Sequence, residues 1–481
     1  MSDTGFLLHR LLLIVLLISL PLYSRAELPV LGDPTQQELT PYREYMIGRN
    51  FYRSLKASVP FVNDLEINDY IKNLGQRLAS YSDQPDKKFH FFVIKVPSIN
   101  AFAGPDAYIG IHTGLIIAAS NESELAGVLS HEISHVTQRH LARAMTESNT
   151  SPAAMFASIL AGILLASKNP QAGAALIYGG QAAMMQSQIN FTRANEHEAD
   201  RIGIGVLRDA GINPQGMASF FETLLQQSER NNVMAQMEYL RTHPLSTTRI
   251  AEAKSRIAAE DSTLPSDSLD FQLARARTLV NTSNNPAEII DQLKALPGDQ
   301  RNLVSDYTLG LAYIGDDQAD KAIPLFRRLQ KSSSHPWIQL ALVDAFYHNH
   351  QKQAALTILQ NLNSLYPNYL PVSIRYARLL IDLHKSDQAI RLMNLQLRSQ
   401  KQTVVYATLA KAYFSSGQSS LAMEATSYEY ELDGYLNLAA QQLKNALKQE
   451  PLDITTRQRL ESRLEKINQQ INHETGDEDH D

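Results

Sequence analysis

The sequence predicts two architectures in succession, a mostly helical α+β domain with a small sheet and then an all-α solenoid of helical hairpins. The first is indicated by helical patterns that flank two strand-like runs between residues 89 and 112. The second is indicated by a repeat with a period near 34 residues that begins at about residue 266. A chain of 481 residues, of which 44% are hydrophobic, is long enough for two or three domains with sizeable cores.

Composition excludes several functional classes. The chain contains no cysteine, so it has no disulfide, no thiolate metal ligand and no cysteine nucleophile. The net charge of −6 gives no sign of binding to nucleic acid.

The first 26 residues have the pattern of a secretory signal peptide. Arg10 precedes an apolar run from Leu11 to Leu22, and Ser24-Arg25-Ala26 forms a cleavage site before Glu27. The run is short for a membrane span, although an uncleaved anchor is the alternative. A signal peptide predicts export, and a bacterial periplasm fits best.

Helices are predicted over residues 38–80. The second of them runs from about Asn63 to Ala79, and Asn63 with Glu66 can cap its start. Its apolar residues recur at helical spacing, at Ile67, Tyr70, Ile71, Leu74 and Leu78.

Two strands are predicted after these helices. Phe89–Val96 reads as the first strand, residues 100–106 as a loop, and Ala107–His112 as a second strand that ends in a turn. The second strand is either an edge that pairs with an extended peptide or one arm of an ordinary hairpin.

A helix that begins near Asn121 is predicted to carry the central motif, His131-Glu132-x-x-His135, with Asn121 and Glu124 as its cap. Histidines four residues apart lie on one face of a helix, so both imidazoles can reach one metal ion. Glu132 projects about 100° away from His131 and is suited to hold a metal-bound water, as a zinc peptidase requires. A surface helix that carries these residues by chance is the alternative.

A further predicted helix supplies more carboxylates. Glu196 lies 61 residues beyond His135 and is the expected third ligand of a catalytic zinc site. Asp200 is four residues on and can accept the spare N–H of a zinc-bound histidine. Glu198 points away from Glu196, so the two glutamates are alternative ligands. A charged, solvated helix face is the other interpretation of this segment.

A histidine before a proline follows in Thr242-His243-Pro244-Leu245, and Arg249 lies on the helix that starts there. His243 can donate to the oxyanion of the tetrahedral intermediate, or it can take the fourth position of the zinc while the enzyme is at rest. Of these two roles the resting-state one is favoured. A structural loop histidine is the third interpretation.

Residues 153–185 are apolar, rich in Ala, Gly and Met, and broken at Lys168-Asn169-Pro170. Neither arm reaches the roughly 18 residues that a membrane span needs. The segment is interpreted as a buried helical hairpin. The alternative is a flap over the site, or a surface that meets a membrane or an apolar partner.

The repeats after residue 266 match the tetratricopeptide pattern. A small residue is needed where paired helices come close, and the alanines of the second helices step by 33, 34 and 33 residues, at Ala322, Ala355, Ala389 and Ala422. Hairpins at 269–295 and 425–449 look degenerate and are predicted to cap the array. Such a solenoid offers a concave surface to peptides or partner proteins, whereas a spacer without a partner is the alternative.

The motifs HEISH, NEHEAD and THPLSTTR, in this order and at these intervals, resemble the HtpX and CAAX-prenyl-protease type of gluzincin. With a signal peptide in front and repeats behind, residues 27–470 resemble the BepA/YfgC family, periplasmic proteases that assist the assembly of outer-membrane β-barrel proteins. The resemblance implies one zinc ion (Zn2+) per chain on His131, His135 and Glu196, with Glu132 as the base. It implies accessory catalytic roles for three more residues, Asp200, His243 and Arg249.

The stretch Asn100–Ala103 resembles the substrate-side strand of that family. The prenyl-protease relatives have several membrane spans, and none is predicted here after residue 26.

The predicted organisation is a signal peptide (1–26), a zincin-like metalloprotease domain (27–265), a tetratricopeptide-repeat solenoid (266–470) and a disordered acidic tail (471–481). We expect a periplasmic zinc endopeptidase with chaperone-like activity, associated with the outer membrane or making peripheral contact with a membrane. By the resemblance, its clients are unfolded or misassembled outer-membrane proteins, and the β-barrel assembly machinery docks on the solenoid. The rival expectation is a chaperone or scaffold in which proteolysis is rare or latched.

Overall fold

A computed structural model describes residues 40–148, 182–231, 239–240, 243–257, 263–449 and 451–476. The predicted signal peptide and the apolar segment 153–185 up to residue 181 lie outside these residues. The described chain contains twenty α-helices with assigned bounds, two short 3₁₀ helices (Pro105–Ala107 and Gly298–Gln300) and one three-stranded sheet. Within it, no helix combines the length and the apolar character needed to cross a membrane.

The first half of the chain contains the sheet and eight helices. The helices are α1 (Pro41–Ser58), α2 (Leu65–Ala79), α3 (Thr113–Ala118), α4 (Glu122–Thr137), α5 (His140–Ser148), α6 (Ala182–Asp209), α7 (Gln215–Asn231) and α8 (Thr247–Arg256). The strands are β1 (His90–Ile94), β2 (Ala101–Ala103) and β3 (Tyr108–His112).

The sheet has the order β1-β3-β2, with β3 parallel to β1 and antiparallel to β2. The two predicted strands are therefore present, but β2 falls in the segment 100–106 that was predicted to be a loop. A strand of three residues is too short for its alternation to be seen in the sequence. The second predicted strand, now β3, is paired on both sides and is not an edge, and the turn predicted after it is the helix α3.

The start of α2 differs from the prediction in its cap. Asp64, not Asn63, is the N-cap, and its carboxylate accepts from the Ile67 N–H at 3.1 Å. Glu66 takes no part in this cap, because its side chain is buried against helices from the second half of the chain. The five predicted apolar positions of α2 are all buried, as expected.

The second half of the chain consists of paired helices. These are α9 (Leu269–Thr282), α10 (Pro286–Lys294), α11 (Leu303–Gly315), α12 (Ala319–Ser332), α13 (Pro336–His348), α14 (Lys352–Leu365), α15 (Leu370–Asp382), α16 (Ser386–Gln396), α17 (Thr403–Ser415), α18 (Ser419–Leu432), α19 (Leu436–Leu447) and α20 (Ile454–Gly476). The four repeat alanines lie in α12, α14, α16 and α18 and are buried, which agrees with the predicted close approach of paired helices.

The end of the array was predicted incorrectly. Residues 425–449 cover the end of α18 and all of α19, which pack on each other but belong to two successive pairs, so they are not a separate capping hairpin. The last pair is α19 with α20. Helix α20 continues to Gly476, so residues 471–476 are helical and not the predicted disordered tail.

The two halves share one hydrophobic core. A single cluster of buried residues runs from Ile67 in α2 to Ala425 in α18, and α9 packs directly on α2 and α3. The boundary predicted at residue 265 therefore separates two patterns of sequence but not two independent cores. A fragment that ends there would expose apolar surface that α9 covers.

A buried ion network joins the two halves. Arg277 of α9 lies 2.6 Å from Asp64 and 3.6 Å from Glu66, and Arg375 of α15 lies 3.0 Å from Glu66. Glu66 is fully buried and Arg277 is almost so. Removing one member of such a network leaves an uncompensated buried charge, which is strongly destabilising.

The far end of the solenoid also contacts the first half of the chain. Arg49 of α1 lies 2.7 Å from Glu474, and Lys56 lies 2.6 Å from Asp433. Arg53 donates to the Gly434 carbonyl oxygen at 3.2 Å. The solenoid is thus attached at its start, its middle and its end.

We expect Asp64→Asn to lower the free energy of unfolding by about 3 kcal/mol, because it leaves Arg277 with less compensation while asparagine still caps α2. The matched control is Asp270→Asn, which removes an ion pair with His335 whose aspartate is 60% exposed, and which should cost less than about 1 kcal/mol. Denaturant unfolding at neutral pH measures both. Equal effects of the two substitutions would contradict a structural role for the buried network.

The ion pair of Asp64 with Arg277 predicts that the stability of the fold depends on pH. Burial opposes the ionisation of Asp64, but the charge and hydrogen bonds of Arg277 lower its pKa from 3.8 to about 2. A lowered pKa in the folded state stabilises the protein above the unfolded pKa, and this stabilisation is lost as the pH falls through the folded pKa. The difference between wild type and Asp64→Asn should therefore shrink between about pH 4 and about pH 2.

Candidate active site

Helix α4 carries the central motif through the middle of the first half. Asn121 caps it as predicted and accepts from the Glu124 N–H at 3.1 Å, but the Glu124 carboxylate accepts from Ser120 instead of completing the capping box. The helix packs against α2, β2, α6 and α7. His131 and Glu132 are consequently buried, and the surface-helix alternative for this motif is wrong.

Glycines allow α6 and α7 to come close to α4. A Cβ atom on Gly203 of α6 would lie 3.2 Å from Ser130 Oγ and 3.3 Å from the His131 nitrogen. A Cβ atom on Gly127 of α4 would lie 2.9 Å from the Met217 Cα of α7. This close approach brings the carboxylates of α6 to the histidines of α4.

Four side chains converge on one point, namely His131, His135, Glu196 and His243, with one donor atom of each within 4.8 Å of the others. His131 Nε2 lies 3.0 Å from His135 Nε2 and 3.2 Å from His243 Nδ1. Carboxylate oxygens of Glu196 lie 3.3, 3.4 and 3.0 Å from the nearest nitrogens of His131, His135 and His243. Four ligands placed tetrahedrally about 2.0–2.1 Å from a zinc ion are about 3.3–3.4 Å apart. The donor types and their spacing therefore fit zinc.

His131 is held by a carboxylate behind it. Its Nδ1 lies 2.9 Å from Asp200, and Arg249 donates two hydrogen bonds of 2.7 and 2.8 Å to the Asp200 carboxylate. Burial alone would raise the pKa of Asp200, but hydrogen bonds from Arg249 and His131 hold it below its usual value. The carboxylate can thus accept the Nδ1–H of His131, which leaves Nε2 free to bind a metal.

Glu196 is buried as a carboxylate. Burial opposes its ionisation, but the charge of His243 and the hydrogen bonds from His131 and His135 hold the pKa of Glu196 well below its usual value. Arg249 adds a contact of 2.9 Å to the same carboxylate. Arg249 therefore compensates both buried carboxylates of α6.

His243 is fixed in the site from several sides. Its ring stacks on Tyr239 with the centroids 4.7 Å apart, and its Nε2 lies 3.4 Å from Glu132. The Tyr239 N–H donates to the Ile99 carbonyl oxygen just before β2, and Arg249 donates to the carbonyl oxygen of Pro244. The segment that bears His243 thus lies between the motif and the start of β2.

Residues 66–257 match the model of peptidase family M48. The beta-barrel assembly-enhancing protease of Escherichia coli (strain K12) is 32% identical over 452 residues, which cover 93% of this chain and 92% of that protein. The chain belongs to the beta-barrel assembly-enhancing protease family. The putative beta-barrel assembly-enhancing protease of Vibrio cholerae is similar too, with 34% identity over 374 residues and 76% of each chain covered. A solved structure described as "MamA MSR-1 C2" aligns with a TM-score of 0.28 and 18% identity, over 34% of this chain and 95% of that one.

Membership of the beta-barrel assembly-enhancing protease family makes the chain a metalloprotease. The match to peptidase family M48 spans the whole site, from His131 on α4 to Arg249 on α8. All seven residues singled out in the sequence come together in the structure: Glu132, Asp200, His243 and Arg249, and the donors His131, His135 and Glu196. The group of four donors agrees with the metal dependence of the family.

Glu198, the alternative third ligand, does not join the four donors. Its carboxylate lies 3.0 Å from His140 and 2.7 Å from Arg143, on the far side of His135. His140 in turn lies 2.7 Å from His135 Nδ1. Sequence reasoning missed His140, because a continuous helix would turn it away from His135. A left-handed residue, Arg139 with φ of 53°, ends the helix and brings it back.

Proposed function

We propose that this chain is a periplasmic zinc endopeptidase that degrades misassembled outer-membrane β-barrel proteins and assists the assembly of others by a chaperone-like activity. The observation that carries the proposal is the set of donors on His131, His135 and Glu196 at tetrahedral spacing, with Glu132 3.4 Å from His243, which lies at the same point. The client class is suggested by the name that the family carries. The periplasmic location rests on the predicted signal peptide.

The proposed chemistry divides the work among a few side chains. His131, His135 and Glu196 hold the zinc, and Asp200 with Arg249 keeps His131 in the correct tautomer. Zinc supplies a bound water of lowered pKa and polarises the scissile carbonyl. Glu132 accepts a proton from the attacking water and passes it to the leaving amine.

The substrate is proposed to bind as an extended strand along β2. Within the described residues β2 pairs with β3 alone, so it is an edge of the sheet, and it packs against α4. An edge strand offers main-chain hydrogen bonds to any extended peptide, whatever its sequence. Unfolded outer-membrane proteins are peptides of this kind, since their strands have not yet paired.

The solenoid is proposed to dock the β-barrel assembly machinery and to hold clients near the site. Its helical pairs are attached to the protease half at three places, so a partner bound to them lies at a fixed distance from the zinc. Peripheral contact with a membrane is proposed for the apolar segment 153–185, whose described part begins at residue 182.

A second candidate function is a chaperone or scaffold whose protease is latched. The position of His243 favours this state, because its Nδ1 takes the fourth corner of the donor tetrahedron. A catalytic zinc needs that corner for water. In this arrangement proteolysis requires His243 and the segment beside Tyr239 to leave the site.

We expect the mature protein to carry about one zinc ion per chain, and the double variant Glu196→Ala/His243→Ala to lose it, because the two remaining histidines alone do not make a catalytic zinc site. The measurement is metal analysis of the purified proteins. The control is Glu252→Ala, which removes a partly exposed glutamate paired with His197 on the outer side of α6. Full retention of zinc in the double variant would contradict the assignment and point to Glu198.

We expect Glu132→Gln to retain zinc and to lose cleavage by roughly 10²–10⁴-fold, because general base catalysis contributes about that much. Comparing the assembly of outer-membrane proteins in cells that carry wild type or Glu132→Gln separates the two candidate functions. If the function requires proteolysis, cells that carry Glu132→Gln should assemble outer-membrane proteins less well or accumulate misassembled clients. Unchanged assembly and client turnover would favour the scaffold.

We expect His243→Ala to retain zinc on its three remaining ligands and to raise basal proteolysis, by about tenfold if the latch is closed in roughly nine molecules of ten. The assay follows autocleavage and cleavage of a model client, with surface His348→Ala as the control. An oxyanion donor predicts the opposite, a fall of roughly 10²-fold. Loss of cleavage with zinc retained would therefore rule out a simple latch.

A further inference from the structure

His135 has a second imidazole behind it. Its Nε2 faces the other donors, 3.0 Å from His131 Nε2. Its Nδ1 lies 2.7 Å from Nδ1 of His140, the first residue of α5. Two ring nitrogens at this distance share one proton, so one of them donates and the other accepts.

The far side of His140 decides which of the two donates. His140 Nε2 lies 3.0 Å from a Glu198 oxygen, and Arg143 donates to the same oxygen at 2.7 Å. A carboxylate paired with an arginine only accepts hydrogen bonds, so His140 must carry its proton on Nε2. His140 Nδ1 is then an acceptor, and the shared proton belongs to His135 Nδ1.

The opposite arrangement would remove His135 from the metal. If His140 donated to His135, the proton of a neutral His135 would sit on Nε2, where a metal must bind. The lone pair of His140 Nε2 would also face the lone pairs of Glu198. With a metal on His135 Nε2, the contacts are therefore consistent with one direction of donation only.

We propose that His140, with Glu198 and Arg143, is a positioning relay that fixes the tautomer and the ring orientation of His135 for the metal. This inference rests on the proposed function, in which His131, His135 and Glu196 hold zinc. His131 contacts the carboxylate of Asp200 directly, and Arg249 donates a hydrogen bond to that carboxylate. His135 is connected to the carboxylate of Glu198, which is paired with Arg143, through the imidazole of His140.

The relay predicts a specific order of zinc affinity among variants. Loss of a group that orients a metal ligand typically lowers metal affinity 10–100-fold. His140→Leu fills the space without an acceptor and should show the full loss. His140→Asn places an amide oxygen near the position of Nδ1 and should recover part of the affinity. If His140 served only as packing, leucine would replace it at least as well as asparagine.

The other end of the relay has a matched control in a second pair of a histidine and a carboxylate. The Glu198 carboxylate lies 3.0 Å from His140 Nε2. The Glu252 carboxylate lies 2.9 Å from Nδ1 of His197 on α6, outside the group of four donors. Glu198→Gln should weaken zinc binding several-fold, because its amide no longer fixes the proton of His140. Glu252→Gln removes an equivalent carboxylate and should leave zinc affinity unchanged.

The experiment is competition for zinc between a chromogenic chelator and the full-length mature protein, with circular dichroism to confirm folding of each variant. We expect the affinity for zinc to be highest in wild type, lower in His140→Asn and lowest in His140→Leu. Glu198→Gln should bind zinc more weakly than wild type, and Glu252→Gln should bind it equally well. If wild type binds zinc and His140→Leu binds it with equal affinity, the relay is overturned but the proposed function is not. A folded wild type that binds no zinc would overturn the proposed function and the relay with it. Should His140→Leu not fold, Glu198→Gln decides, since its side chain is 30% exposed and equality with Glu252→Gln would overturn the relay.

Discussion

The close packing of α6 on α4 is the constraint on which the rest of the structure depends. It buries two carboxylates, Glu196 and Asp200, against His131. Each buried carboxylate alone would cost several kcal/mol, and Arg249 offsets both of them at once. The same arginine holds the carbonyl oxygen of Pro244, so the charge compensation of the site and the placement of the segment that bears His243 depend on one side chain.

A second buried charge network sets the position of the solenoid. Glu66 belongs to α2 of the protease half, but its compensation comes from Arg277 and Arg375 in the repeats. Burial raises the pKa of Glu66 against the pull of these two arginines. The helical pairs therefore complete the core and the charge balance of the half that carries the site. A partner that bends the solenoid would strain these contacts.

The parts of the fold that follow from local spacing were predictable, and those that follow from distant packing were not. Histidines four apart on one helix, and Glu196 with Asp200 on another, are placed by the helical period alone. Tertiary contacts decide that β2 is a strand and that Glu66 pairs far along the chain and takes no part in capping α2. His140 reaches His135 only because Arg139 adopts a left-handed conformation, and no sequence pattern signals that choice in a residue other than glycine.

We propose that a metal bound in the resting protein has four protein ligands, with His243 at the fourth corner. X-ray absorption spectroscopy at the zinc edge of the full-length mature protein tests this most directly. The account predicts one carboxylate oxygen and three imidazole nitrogens at about 2.0–2.1 Å, and two imidazoles with a water in His243→Ala. A wild-type spectrum with only two imidazoles, unchanged by removal of His243, would contradict it.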